Sequence, residues 1–210
     1  MKLLYQTHSP YARKVLVMAH EVGMADRLEV IHHETSPTLR NEEVFQLNPL
    51  GKVPVLVRDD GSALFDSSVI CEYLDSLHEG PKMIPAAPTS RWRSLQWQAL
   101  AQGMCEAGIS VRHETVRRPA PYRYPAMRDG QIEKLVASYD FLERECASRT
   151  VAETRVIDIG AIAVATALSW LAFRELPAFE HGRPHLSAWY RAFLQRPSML
   201  ATPLVGETVD

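Results

Sequence analysis

Asn48-Pro49-Leu50-Gly51-Lys52-Val53-Pro54-Val55-Leu56-Val57, a polar turn, and then Ala63-Leu64-Phe65-Asp66-Ser67-Ser68-Val69-Ile70-Cys71-Glu72-Tyr73-Leu74 form the stretch from which the fold is read. Val53 to Val57 is short, β-branched and closed by Arg58-Asp59-Asp60-Gly61, the pattern of a buried strand entering a hairpin whose return strand is Ala63 to Phe65. Pro54 has no N–H for a sheet ladder, so it fits a strand start, an edge or a deliberate cis bond. With a cis bond there, the N–H and C=O of Val53 are expected to face outward, ready to pair with an extended, peptide-like ligand. After the hairpin, Val69, Ile70, Tyr73, Leu74 and Leu77 make an amphipathic stripe, which predicts a helix with Ser67 as its N-cap. Such a helix start is also a ready site for a carboxylate.

Val-Pro before a hairpin, followed by Asp-Ser opening a helix that continues Val-Ile-x-x-Tyr-Leu, resembles the glutathione-binding half of the cytosolic glutathione transferase family. The resemblance implies that Val53, ahead of Pro54, pairs with the cysteinyl backbone of glutathione, and that Asp66 and Ser67 hold its γ-glutamyl end. Lys52 is the candidate for the glycine carboxylate, with Arg13 and Arg40 as weaker candidates expected at the surface.

The remainder of the chain is consistent with that resemblance. Lys2 to Tyr5 and Leu28 to His32 read as strands, and between them a helix opens at Pro10 and stops at Gly23. Strand, helix, strand, Val-Pro hairpin and helix describe a thioredoxin-like α/β domain over residues 1–78. Residues 79–88, rich in Pro and Gly, read as a linker, and residues 89–210 as an all-α domain carrying a hydrophobic substrate site. Within it, Thr89 and Ser90 are read as caps of a long helix, Arg128 to Arg149 as a second, and Val156 to Phe173, apolar on nearly every side, as a buried central one. Asp158 is read as a first-turn residue there; the family's Ser or Thr three residues earlier is here Arg155, with Thr154 as a shifted substitute. Pro-His-Leu-x-x-Trp from Pro184 and Arg196-Pro197-Ser198 are similar to the closing helix of the same family.

Ser9, between the first strand and a helix start, is the candidate catalytic residue. Its hydroxyl and the helix dipole would both act on a thiolate, and it matches the active serine of serine-type transferases in Ser-Pro-Tyr-Ala-Arg-Lys. A plain N-cap is the competing role, and Tyr5 is the rival residue. Tyr11, Met104, Ile109, Arg112 and Tyr122 are candidates for the second-substrate site. The basic, aromatic stretch from Arg112 to Arg128 is read as a solvated connection rather than a nucleic-acid surface.

The resemblance implies glutathione as co-substrate, a small hydrophobic electrophile, no metal and a homodimer. Glutathione-dependent peroxidase, isomerase or lyase chemistry, and a non-catalytic binding or regulatory module, are the alternatives. A net charge of −2 over 210 residues exerts no pull towards nucleic acid or anionic membrane. No apolar run reaches membrane-span length, and the start lacks a signal-peptide apolar region, so a cytoplasmic location is expected. Cys71, Cys105 and Cys146 are too scattered for a disulfide framework or a zinc motif.

Overall fold

Leu3 and Leu4 lie in the strand Lys2–Tyr5 (β1) and point to opposite faces of a four-stranded sheet, so both faces of that sheet must be covered. The strand order is β2-β1-β3-β4, with β2 spanning Glu29–His32, β3 Val55–Val57 and β4 Ala63–Leu64. β1 runs parallel to β2 and antiparallel to β3, and β3 runs antiparallel to β4. On one face Leu4 and Val55 pack with Val53 and with Val44 of the short helix α2 (Glu42–Leu47). The other face is met by α1 (Pro10–Glu21) and α3 (Ser67–Ser76), which pack on each other and bury Val15, Met18, Ile70 and Leu74 completely.

The computed structural model describes residues 1–150 and 156–207. The Thr154 and Arg155 capping reading therefore lies outside the described residues. The chain divides into two compact units, Met1–Trp92 with Pro197–Asp210, and Arg93–Arg196. The first is the small mixed sheet with its helices; the second is helical. Where the first unit leaves α3, the buried Asp75 carboxylate accepts from the N–H groups of Met83 (2.8 Å) and Ile84 (3.0 Å) and pairs with His78 (3.1 Å), which orders the Pro/Gly-rich connection.

In the second unit, α4 (Pro88–Arg112), α5 (Pro125–Ala147), α6 (Ile159–Phe173) and α7 (Pro184–Leu194) supply the core. α6 is buried on almost every side, as its composition predicts. Gly160 lets it approach α4 closely: a Cβ there would stand 2.5 Å from the Ser94 carbonyl oxygen and 2.8 Å from Trp97 Cβ. Two caps differ from expectation. Asp158 is the N-cap of α6 rather than a first-turn residue, accepting from Ala161 N–H at 2.8 Å. Thr89 and Ser90 lie inside the first turn of α4, because Pro88, whose missing N–H costs nothing there, already opens the helix. A short helix, α8 (Pro197–Leu200), brings the chain back into the first unit. Among the described residues no helix is long and apolar enough to cross a membrane.

Candidate functional site

The sheet register places three candidate segments at one end of the first unit. Leu4 faces Val55, so β1 leaves the sheet towards Ser9 at the end where Val53 and Pro54 lead into β3. Leu56 faces Leu64, so β4 runs out at that same end into Asp66 and Ser67. Each segment presents polar groups there, and each is fixed by bonds behind it.

Ser9 is the N-cap of α1, with extended backbone angles, and Pro10 takes the first helical position. Its Oγ accepts from Ala12 N–H at 3.2 Å, its own N–H donates to Gln6 C=O at 3.0 Å, and it is 7 % exposed. Capping uses a lone pair and leaves the O–H proton to donate, so capping and anion stabilisation are compatible roles. Tyr5 is less well placed. Its ring stands edge-on to His32 of β2, 5.8 Å between centroids, and β2 flanks β1 on the side opposite β3. That orientation leans it away from Val53.

The loop before Val53 is built on Asn48, a residue the sequence reading passed over. Its side chain donates to Lys52 C=O (2.8 Å) and accepts from Leu50 N–H (3.0 Å), while its C=O takes Gly51 N–H (2.8 Å). Gly51 has a φ of +61°, and a Cβ on it would collide with the Phe45 ring, so the turn requires glycine. Its carbonyl is held by Thr35 Oγ1 at 2.9 Å. The Val53–Pro54 bond is cis, as is Phe65–Asp66. Among the described residues neither the N–H nor the C=O of Val53 has a hydrogen-bond partner. Lys52 is exposed and has no carboxylate partner among the described residues.

At α3 the expected cap is displaced by one residue. Asp66 is the N-cap, accepting from Ser68 N–H (2.9 Å) and, at greater length, Val69 N–H (3.5 Å). Ser67 is the first helical residue; it is 1 % exposed and its buried hydroxyl has no partner among the described residues. An unmatched buried hydroxyl costs roughly 1–3 kcal/mol, and one that survives calls for an explanation such as a ligand. The carboxylate of Asp66 occupies the end of the helix, next to the Ser67 hydroxyl in sequence.

Arg13 does not lie on the surface as expected. It is 6 % exposed, and its guanidinium donates to Met199 C=O at 3.2 Å. Arg40 is paired with Glu42 and stacked 3.8 Å over the Phe45 ring. Arg40 is exposed, as expected, but already has these partners. The second-substrate candidates divide between the units. Tyr11 is half-buried on α1, while in the helical unit Met104 is packed in the core, Ile109 and Arg112 are half-buried on α4, and Tyr122 is exposed. In the basic stretch, the buried Glu114 carboxylate accepts from Tyr124 N–H (2.7 Å) and Arg118 (3.0 Å), and Arg128 pairs with Asp129. A partly open pocket of about 200 Å³ is lined by Tyr5, Thr7, Arg13, Thr202 and Val205 among others; Ser9, Val53, Asp66 and Ser67 do not line it.

Comparison with known proteins adds the following. A family model described as glutathione S-transferase, N-terminal domain, matches residues 8–77, and one described as glutathione S-transferase, C-terminal domain, matches residues 118–192. The uncharacterized GST-like protein YibF of Escherichia coli (strain K12) is 35 % identical over 204 residues, 96 % of this chain and 98 % of YibF. A glutathione transferase family member from Pseudomonas fluorescens Pf-5, solved with bound glutathione, is 39 % identical with a TM-score of 0.88, covering 98 % of this chain and 99 % of that one. A structure with bound S-(propanoic acid)-glutathione is 40 % identical with a TM-score of 0.85, over 98 % and 100 % of the chains.

Proposed function

Because the chain belongs to the glutathione S-transferase family, we propose that it binds glutathione at the strand-end site of the first unit and activates its thiol for attack on an electrophilic carbon. The observation that carries this reading is the convergence of Ser9, Val53 and Ser67 at one end of the sheet, each with a polar group left to spend. The backbone of Val53 pairs strand-fashion with the cysteinyl residue of glutathione. The start of α3, with Ser67, takes the γ-glutamyl carboxylate, Asp66 the ammonium beside it, and Lys52 the glycine carboxylate.

The chemistry then rests on Ser9. A free thiol has a pKa of about 8.5, so only a few per cent is thiolate at neutral pH. The thiol proton leaves to solvent, and the Ser9 O–H donates to the sulfur anion at the positive end of α1. One such hydrogen bond with the helix end supplies about one to two pKa units, each worth about 1.4 kcal/mol. The thiolate forms a bond to the electrophilic carbon, which expels its leaving group or, in an activated alkene, passes the electron pair on to be protonated. The thioether bound by the Pseudomonas fluorescens relative has the chemical form of such a product. The candidate residues for the electrophile are Tyr11, on α1 of the first unit, and Met104, Ile109, Arg112 and Tyr122 of the helical unit.

The test is a pH titration of thiolate absorbance for enzyme-bound glutathione, with affinity measured in parallel by calorimetry. The wild type is expected to bind glutathione with a depressed thiol pKa, and Ser9→Ala to bind it nearly as well with that pKa raised by at least one unit. Equal pKa values in the two proteins would transfer the role away from Ser9.

A further inference from the structure

The end of the chain does not stay with the helices that precede it. Residues from Pro197 onward group with the first unit, more than a hundred positions away in sequence. Three bonds bring this segment over α1 and the loop that enters it. The Ser198 hydroxyl meets the Glu21 carboxylate, the Arg13 guanidinium donates to Met199 C=O (3.2 Å), and Val205 N–H donates to Thr7 C=O (3.3 Å). Gly206, at φ +85°, follows so close that a Cβ on it would stand 3.4 Å from Thr7 Oγ1.

Thr7 belongs to the short turn that delivers Ser9. At its start the Gln6 side chain donates to Thr35 C=O (2.9 Å) and to Glu34 (3.0 Å), and at its end Ser9 N–H closes back on Gln6 C=O (3.0 Å). Between these anchors the turn borders a partly open pocket of about 200 Å³, which Thr7 and Arg13 line together with Thr202, Pro203 and Val205. At its edge the bond from Val205 N–H to Thr7 C=O joins the two segments directly. A turn that borders open space on one side has room to shift, and a hydroxyl aimed at a sulfur anion loses most of its effect when displaced by about 1 Å.

We infer that the segment Pro203–Gly206 is a strap that fixes the Thr7–Ser9 turn, so that Val205 acts as a positioning residue for the Ser9 hydroxyl through its backbone N–H. The inference rests on the reading of Ser9 as the thiolate donor. Its counterpart is that binding of the tripeptide itself, which uses Val53 and Ser67, does not depend on the strap.

The experiment compares four proteins: wild type, Ser9→Ala, a chain ending at Thr202, and that shortened chain carrying Ser9→Ala. Val205→Pro, which removes the N–H while keeping the rest of the segment, and which also fixes φ at that position, is the second route to the same loss. Thiolate absorbance against pH, kcat with a generic aryl halide, and calorimetric glutathione affinity are read for each. Shortening or Val205→Pro is expected to raise the bound thiol pKa by about one unit and lower kcat about tenfold, with glutathione affinity within twofold of wild type. Added to Ser9→Ala, shortening is expected to change nothing further. If the shortened chain keeps the wild-type pKa and kcat, or loses affinity and activity together with the pKa unmoved, the strap does not position Ser9. If wild type and Ser9→Ala already share one pKa, the reading of Ser9 itself falls, whatever the strap does.

Discussion

Ser67 and Ser9 are both serines at helix starts, and only the structure separates what they do. Ser9 caps α1 through its oxygen and keeps its proton, while Ser67, inside the first turn of α3, has no partner for its buried hydroxyl among the described residues. Their alanine variants should therefore differ in stability as well as in binding. Removing an unmatched buried hydroxyl lifts a desolvation cost, so Ser67→Ala is expected to leave the ligand-free protein as stable as wild type or slightly more so. The same variant should weaken glutathione binding by about 1.5–3 kcal/mol, the worth of a hydrogen bond to a carboxylate. Thermal unfolding without ligand and calorimetry with glutathione check the two halves. A variant that unfolds earlier and binds normally would make Ser67 a structural residue. Sequence spacing places both serines at helix starts but names Ser67, not Asp66, as the cap of α3: an Asp-Ser pair fits either register, and the choice is made where the preceding strand ends.

Among the elements, those with strong local punctuation were legible. Pro10 and Gly23 bound α1, the Val-Pro hairpin places β3 and β4, and Pro184 opens α7. α2 was not read, because six residues make fewer than two turns and cannot establish a period. The same limit hid Asn48, whose importance lies in three bonds inside one loop. Nor was the bend between α4 and α5 read in detail, where Glu114 anchors the basic stretch. The N–H of Tyr124, and after it the Arg118 guanidinium, hold the Glu114 carboxyl below the usual carboxylate range. A carboxyl whose folded pKa is depressed contributes stability above its unfolded value of about 4.3 and loses it as pH falls through the folded one. Unfolding measured from pH 7 downward should thus show a decline beginning near pH 5 that is shallower in Glu114→Gln. Identical acid limbs would mean that Glu114 contributes nothing to it.

At the level of the whole molecule, resemblance carried the two-part organisation, and the return of the last residues to the first unit escaped it. No local pattern in Pro197-Ser198-Met199-Leu200 signals a bond to Arg13, a contact that exists only once the chain has come back. What unites the account is the claim that Ser9 lies beside the sulfur of bound glutathione, and the chain's own cysteines make a direct test feasible. All three are buried, and burial pushes the thiols of Cys71 and Cys146 up to about 12, so they are poor nucleophiles at neutral pH. In Ser9→Cys, a thiol at the start of α1 would instead have a lowered pKa. Offered oxidised glutathione, its thiolate attacks one sulfur of the disulfide, forming a mixed disulfide with the protein and releasing the other half as glutathione thiolate. Mass spectrometry of Ser9→Cys after that treatment, with peptide mapping, is the decisive measurement. The account predicts one glutathione adduct at position 9 and none on the wild type; an unmodified variant, or one modified only at the native cysteines, would contradict it.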